Sequence, residues 1–290
     1  MTATTMATYL PEVWSKLATV VYAANRVLVP LMDHRWEPEI GVGMGDTINV
    51  PTYTELTPSD VQKRSTFGTG AALTFAAVTE AQVQILVNQM AYYAFRLPVE
   101  MSAQAMPQYV NQLTNDIGNG IALKVDSEVA GDNTNGIDAF SVATGSSDNV
   151  DITEDVLIDI ETTFGNANVK SGDRYLVVSP ASRGSLMKIE AFRNSLYAGA
   201  MGQMDGSKGA GYLTTILGFQ VYQSNNLEAG TAGKKNGAFH REAIAFAQQK
   251  AVSVVKVLNI ADGLFNETAG FNVYGFKLVK SNHGLEVDGK

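Results

Sequence analysis

The sequence predicts an α+β protein, and three observations lead to this prediction. One long helical pattern runs from Pro107 to Ala130, with apolar residues at steps of three or four. Strand-like segments lie on both sides of this helix. Glycine is abundant, at 27 of 290 residues, whereas charged residues make up only 17% of the chain. We therefore expect a helix-bearing central domain and a strand-rich domain built from both flanks.

The long helix is predicted to be the spine of its domain. Pro107 suits its first turn and Gly131 suits its end. At 1.5 Å per residue the helix would be about 36 Å long, roughly twice the usual length. Gly118 and Gly120 each weaken a helix interior by about 1 kcal/mol relative to alanine, so we expect another element to pack closely against them. The predicted apolar face consists of Met106, Val110, Leu113, Ile117, Ile121, Val125 and Val129.

Residues 10–33 are predicted to form an amphipathic helix that follows a short polar segment. Trp14 lies on its apolar face, and Pro11 suits its first turn. Two interpretations stay open. The helix is either an ordinary element of the core or a docking device for a neighbouring protein.

An extended hairpin is predicted between residues 46 and 97. Asp46–Tyr53 alternates like a strand with Ile48 and Val50 inward, and a second strand signal runs from Ala81 to Leu97. The polar residues 54–72 would form the tip. Two strands alone are marginal in water, so we expect this arm to lie on another subunit. The alternative is a hairpin folded back on its own core.

The second half of the chain alternates between helix and strand signals. Thr153 is the predicted N-cap of one helix. The glycine-rich residues 195–211 are predicted to form a long loop. The remaining predictions are a buried strand at 174–180, a helix carrying Leu186, Ile189 and Phe192, a strand at 216–222 bent at Gly218, and strands at 243–247, 251–258 and 271–279.

Composition excludes several classes of protein. The net charge of −8 argues against an electrostatic grip on nucleic acid. The chain has no cysteine, which excludes disulfides and thiolate metal sites. The N-terminus lacks the pattern of a signal peptide, and the apolar run after it is too short to span a bilayer. We expect a soluble intracellular product that binds no membrane.

A search for catalytic motifs predicts no enzyme, no metal and no cofactor. His34, His240 and His283 have no metal-ligand spacing and are expected to be exposed or in loops. Neither a GxSxG elbow nor a phosphate-binding GxxxxGK[ST] loop occurs. The segment from Asp132 to Gly136 is predicted to be a turn and not a calcium loop. The alternative from another functional class is a soluble hydrolase with an unrecognised site.

Taken in order, these segments resemble the major capsid (coat) protein of tailed bacteriophages, with the Hong Kong 97-type shell fold. The resemblance rests on module order and local patterns along nearly the whole chain. Its pieces are Pro11–Leu17, Gly45–Pro51, Pro98–Met101 with the spine helix, Arg174–Pro180, Leu217–Ser224, Ala243–Ala247 and Val273–Lys277.

The resemblance implies a shell subunit with five parts. These are an N-terminal arm and helix (1–40), an extended loop or hairpin arm with flanking strands (41–97), a peripheral domain with the spine helix (98–150), an axial domain (151–245), and return strands of both domains (246–290). It implies subunit contacts at Trp14, Lys63, Arg64, Phe67, Met201, Met204 and Lys208. The loop at 195–211 would lie at the five- and six-fold axes.

The expected partners follow from the same resemblance. The chain would assemble with itself into hexamers and pentamers of an icosahedral shell that encloses double-stranded DNA without sequence-specific binding. A separate scaffold protein, a portal and a decoration protein are the other expected partners. The shell would be assembled in the host bacterial cytoplasm and belong to the virion. An encapsulin-like bacterial nanocompartment is the alternative within this fold.

Some members of this family join their subunits through a lysine on the arm, an asparagine on a neighbour and a nearby glutamate. Here the corresponding candidates are Lys63 and the pair Asn266 and Glu267, which we expect in a loop. The reaction needs a neutral lysine, but Arg64 and the polar neighbours of Lys63 indicate a solvated, charged tip. We therefore expect noncovalent assembly.

Overall fold

A computed structural model of the chain describes residue 18 and residues 20–22, 26–40, 46–53, 80–99, 107–189, 211–260 and 263–290. Within this part the α-helices are α1 (Pro107–Gly131), α2 (Glu154–Asn166) and α3 (Pro180–Leu186). The strands are β1 (Thr47–Tyr53), β2 (Glu80–Leu86), β3 (Gln89–Pro98), β4 (Ser141–Val142), β5 (Arg174–Val178), β6 (Tyr212–Ile216), β7 (Phe219–Gln223), β8 (Lys234–His240), β9 (Ile244–Asn259), β10 (Phe265–Leu278) and β11 (Gly284–Gly289). Short 3₁₀ helices occupy Val29–Leu31, Glu37–Glu39, Ile137–Ala139, Arg241–Ala243 and Ser281–His283.

The described strands form three sheets. A three-stranded antiparallel sheet has the order β3-β10-β9, and a six-stranded mixed sheet has the order β4-β11-β8-β5-β7-β6. Strands β1 and β2 form a separate antiparallel pair. The long strand β9 follows β8 after a single 3₁₀ turn, so the chain passes directly from the six-stranded sheet to the three-stranded sheet. This architecture confirms the predicted mixture of helix and sheet.

The spine helix α1 packs on one face of the three-stranded sheet, as its apolar pattern predicts. Ile117, Ile121 and Val125 are fully or almost fully buried in one core cluster with residues of β9 and β10. A side chain at Gly270 of β10 would collide with Ile117, so glycine lets the helix approach the strand. The observed helix, Pro107–Gly131, matches the predicted one from Pro107 to Ala130.

The two helix glycines mark close contacts, as expected. A Cβ atom at Gly118 would lie 2.5 Å from the carbonyl oxygen of Ala18 in the N-terminal segment. A Cβ atom at Gly120 would lie 3.3 Å from the ring of Tyr93 on β3. The helix is therefore covered on two sides, by the sheet and by the N-terminal segment, whereas its pattern predicted a single apolar face.

A buried carboxylate holds the N-terminal segment against α1. Asp126 is 0% exposed. Its Oδ2 atom accepts a hydrogen bond from the backbone N–H of Val27 at 2.6 Å, and its Oδ1 atom accepts from Leu28 at 3.3 Å and from Val29 at 3.4 Å. Burial raises the pKa of Asp126 to about 6, against the opposing effects of these N–H groups and of Arg26. The sequence analysis did not predict this contact.

The same contact explains why the predicted helix at 10–33 is wrong at its C-terminal end. Residue 18 and residues 20–22 are helical, but Arg26–Leu28 are not, and Val29–Leu31 form a 3₁₀ helix. The Asp126 carboxylate accepts hydrogen bonds from N–H groups that in an α-helix would donate to carbonyl oxygens one turn earlier. Pro30 has no N–H group to donate.

The predicted continuous strand from Ala81 to Leu97 is also wrong. The chain forms β2 and then β3, which belong to different sheets. Between them, the N–H group of Val87 donates to the carbonyl oxygen of Asp46 at 2.7 Å. Period-2 alternation continues across this break, so the pattern could not reveal it.

The bent strand predicted at 216–222 is a hairpin of β6 and β7. Leu217 and Gly218 both have positive φ angles, of 46° and 82°, which places a two-residue turn between the strands. By contrast, the two strands predicted at 243–247 and 251–258 are one strand, β9, whose pairing with β10 shifts register near Val273. The strand predicted at 271–279 begins earlier, at Phe265.

The remaining local predictions mostly agree with the structure. Thr153 lies at the N-cap of α2, although its side chain makes no capping hydrogen bond. Asp132 forms the predicted turn, since its Oδ1 atom accepts from the N–H groups of Thr134 and Asn135. Helix α3 ends at Leu186, earlier than predicted, so Ile189 lies beyond it. Phe192 lies outside the described residues.

The base of the hairpin lies on its own chain. Ile48 and Val50 are buried as predicted, and they pack with Ile85 and Val87 on Ala245 and Ala247 of β9. The opposite side of β2, including Leu86 at 49% exposure, remains open. The base therefore follows the alternative of a hairpin packed on its own core, while the polar tip at 54–72 lies outside the described residues.

Replacing Gly118 by alanine is expected to destabilise the protein. The added methyl group would lie 2.5 Å from a backbone oxygen that cannot rotate away. Overpacking of this kind costs about 1–3 kcal/mol. The measurement is the free energy of unfolding in urea.

The matched control is Gly184→Ala in α3, where the new methyl group would meet no atom within 4 Å. This change is expected to stabilise the protein by up to about 1 kcal/mol, because alanine is the better helix former. A Gly118→Ala protein at least as stable as the wild type would contradict the close packing.

Candidate functional site

The residues predicted to contact neighbouring subunits are not among those the structure describes. Trp14, Lys63, Arg64, Phe67, Met201, Met204 and Lys208 all lie outside the described ranges, as do Met106 and most of the predicted loop at 195–211. Surfaces for association must therefore be sought among other residues.

One such surface is the face of the three-stranded sheet that points away from α1, here called the open face. Gly270 and Tyr93 point toward the helix, so the alternate positions on either side point outward. There Tyr92 is 70% exposed, Val257 is 55% exposed and Val255 is 44% exposed. The outward residues of the three strands include Tyr92, Ala94, Ala269, Phe271, Val255 and Val257.

Paired charges border the open face. The Lys250 ammonium lies 4.5 Å from the ring centre of Phe271. Arg96 forms an ion pair with Glu267 at 2.7 Å, and the Asn259 amide donates to the same carboxylate at 2.9 Å. The Asn259 hydrogen bond and the Arg96 charge lower the pKa of Glu267. An apolar centre with a polar rim is the usual composition of a protein–protein contact.

A second feature is a polar cleft between the N-terminal segment and the edge of the six-stranded sheet. Its volume is about 500 Å³, and its lining includes Arg35, Lys170, His240 and Glu242. Glu242 contacts Lys280 at 2.8 Å, Lys170 at 3.3 Å and Arg35 at 3.8 Å. The Lys280 and Lys170 ammonium groups, of which Lys280 has the larger effect, lower the pKa of Glu242 to about 2 against the opposing effect of burial. The cleft is thus organised by a carboxylate that is fully ionised at neutral pH.

The histidine prediction needs one correction. His240 is only 4% exposed, and its Nδ1 atom accepts from the N–H group of Glu242 at 3.1 Å, so it is neither exposed nor in a loop. Its ring lies 5.9 Å from that of His283, far away in sequence. Burial lowers the pKa of His240. In the described part of the chain, no group of three or more histidine, aspartate or glutamate side chains could hold a metal ion.

Comparison with protein families decides the class. A family model described as phage capsid protein matches residues 96–280, which is more than half of the chain. The chain belongs to the phage capsid protein family. The capsid protein is a shell-forming structural subunit, and its place is the capsid of the virion. No protein of curated function matches the sequence.

Solved structures show the same fold over almost the whole capsid protein. A structure from Mycobacterium phage Che8 matches with a TM-score of 0.69 and 19% identity, and the match covers 90% of each chain. The capsid structure of Cyanophage P-SCSP1u matches with a TM-score of 0.63 and 14% identity, covering 91% of this chain and 88% of that one. A virus-like particle from Pyrococcus furiosus matches with a TM-score of 0.58 and 10% identity, covering 96% and 98%. These likenesses confirm the Hong Kong 97-type fold.

The structure corrects the placement of the candidate crosslinking residues. Asn266 and Glu267 do not lie in a loop. They lie on β10 of the capsid protein, paired with Leu97 and Arg96 of β3. The ion pair with Arg96 also keeps Glu267 ionised, whereas a general base for this reaction works best with a pKa near neutrality.

Within the described residues, no helix of the capsid protein is both long enough and apolar enough to cross a membrane.

Denaturing gel electrophoresis of mature particles is expected to give one band near the chain mass of 31.0 kDa. The physical reason is that Glu267 is engaged by Arg96 and Asn259 and is a poor base for joining chains. A ladder of multimers that persists in denaturant would contradict noncovalent assembly.

Proposed function

We propose that this chain is the major capsid protein of a tailed bacteriophage and forms an icosahedral shell of hexamers and pentamers around double-stranded DNA. The observation that carries this proposal is the family match over residues 96–280. The fold supports it, because the capsid structure of Cyanophage P-SCSP1u is matched over about nine tenths of both chains.

The surface chemistry supports a container. With a net charge of −8, the chain has fewer cationic than anionic side chains. It therefore has no excess positive charge that would bind the phosphates of an enclosed genome tightly. The open face supplies exposed apolar residues of the kind that copies of a subunit bury between them. We therefore assign the open face as a contact between copies in the shell.

The finer parts of the proposal rest on the resemblance to the family. The hairpin tip at 54–72, the N-terminal helix with Trp14 and the loop at 195–211 would make further contacts between subunits, the loop at the five- and six-fold axes. A separate scaffold protein, a portal and a decoration protein are the proposed partners. Assembly would take place in the cytoplasm of the host bacterium.

Two alternatives have less support. A nanocompartment shell shares the architecture, but the family model that matches describes a phage capsid protein. A soluble hydrolase would need a catalytic constellation, whereas Asp33 and Glu242 of the polar cleft serve in ion pairs.

Electron microscopy of the purified full-length protein tests the proposal. Closed shells built from hexamers and pentamers are the expected result. A small oligomer that forms no shell at any protein concentration would contradict it. Shells filled with a cargo enzyme and not with DNA, when isolated from the native source, would favour the nanocompartment.

Deleting residues 54–72 is expected to leave a soluble, folded subunit that does not close shells. The apolar base of the hairpin remains, since Ile48, Val50, Ile85 and Val87 still pack on β9. Circular dichroism reports the fold and electron microscopy reports assembly. Normal shells from the deletion variant would show that this segment is not an intersubunit arm.

A further inference from the structure

A lysine and two carboxylates converge beneath the 3₁₀ helix Ile137–Ala139, at the edge of the six-stranded sheet. Lys235 of β8 donates through Nζ directly to Oδ1 of Asp138, and its Nζ atom lies 3.3 Å from Oε1 of Glu286 on β11. The side chains of Glu286, Asp138 and Lys235 are only 4%, 15% and 26% exposed. Nothing in the shell function described above accounts for this cluster.

Two glycines of the sheet leave the space that allows Asp138 to contact Lys235. A side chain at Gly237 of β8 would collide with Ile137, and one at Gly284 of β11 would collide with Phe140. Without side chains at these positions, Ile137 and Phe140 lie directly on the sheet. Asp138, between them in sequence, is thereby held against Lys235.

The pairing of β8 with β11 fixes the position of Glu286 relative to Lys235. Glu286 is opposite Gly237 and Asp288 is opposite Lys235, so both acids and the lysine share one face of the sheet. The other face carries Val287, which is fully buried in the apolar core formed by α2 and the six-stranded sheet. All three reacting groups therefore have fixed positions on packed backbone elements.

We propose that Lys235 and Asp138 condense to an intramolecular isopeptide bond, with Glu286 carrying the proton between them. The amine nitrogen of Lys235 attacks the carboxyl carbon of Asp138, and one C–O bond of Asp138 breaks. Of the three ammonium protons, one stays on the amide nitrogen and two leave with the Asp138 oxygen as water. Glu286 accepts a proton from the ammonium, delivers it to the leaving oxygen and ends as it began. No oxidant or other reactant is needed.

Glu286 is placed to take the proton that the Lys235 ammonium must lose before its amine can attack. Burial raises the pKa of Glu286 to about 7, so this carboxylate accepts a proton readily near neutral pH. The neighbouring carboxylates, Asp138 first, raise the pKa of Lys235, so its proton must pass to Glu286 within the cluster and not to bulk water. Direct contact between amine and carboxyl group supplies the proximity that replaces an external activating agent.

The bond would join the segment after the spine helix to the six-stranded sheet, across 97 residues of sequence. It lies within one chain, so it leaves a single band in denaturing electrophoresis and is independent of how subunits associate. Its presence also does not depend on the proposed genome-containing shell.

Intact-mass spectrometry of the denatured full-length protein tests the proposal. The wild type is expected to be lighter than its sequence by the mass of one water molecule. A tryptic digest should contain one branched species that joins the peptides of Asp138 and Lys235. An unmodified wild-type mass, or a loss of water that maps to other residues, overturns the proposal.

Two variants keep the test specific. Lys235→Arg retains a cation beside Asp138 but offers no amine for acylation, so it is expected to have the unmodified mass. Glu286→Gln retains Lys235 and Asp138 but cannot carry a proton, so bond formation is expected to slow by a factor of about 100 or more. Loss of water from Lys235→Arg at the wild-type level would overturn the assignment, as would full-speed formation in Glu286→Gln.

Discussion

The buried carboxylate of Asp126 is the interaction on which the arrangement of the capsid protein depends. It binds three successive backbone N–H groups, those of Val27, Leu28 and Val29. Leu28 and Val29 are fully buried, and a buried donor without a partner costs about 1–3 kcal/mol. The spine helix therefore fixes the path of the N-terminal segment, and that segment fixes the elements beyond it.

The consequences extend from this contact to both sheets. Leu28, Val29 and Met32 enter the main core, and Asp33 then pairs with the start of β9 through hydrogen bonds to Ile244 and Phe246. Asp33 also binds Arg35 through both carboxylate oxygens, which places that guanidinium in the polar cleft. These contacts fix the N-terminal segment to the start of β9, where the chain passes from the six-stranded sheet to the three-stranded sheet.

Much of the fold could be predicted from sequence, and the failures have physical reasons. The spine helix, the inward residues of β1 and the close packing at Gly118 follow from local periodicity and glycine placement. Asp126 could not be predicted, because its partners are backbone groups about a hundred residues away that carry no sequence signal. The break between β2 and β3 and the continuity of β9 depend on which strands pair, which alternation does not encode.

The candidate site was less predictable than the fold. The residues chosen from the resemblance, Lys63 and Met201 among them, lie outside the described part of the chain. The sequence did not reveal the open face, because apolar residues occur on both faces of β3. Only the position of α1 shows which face is covered and which is open. The Lys235 cluster was missed for a similar reason, since its members come from three distant segments.

Hydrogen exchange of the amides of residues 27–29 tests the central claim, that Asp126 holds the N-terminal segment. In the wild type these three amides should be protected. In Asp126→Ala they should exchange at least about tenfold faster, the factor expected for the loss of a hydrogen bond worth about 1.4 kcal/mol. Asp126→Asn, whose side-chain oxygen can still accept, should retain much of the protection. The Ala143 amide, which donates to the carbonyl oxygen of Glu286 at 2.7 Å in the six-stranded sheet, serves as the internal reference for folding. Protection at 27–29 that is unchanged in Asp126→Ala would contradict the account.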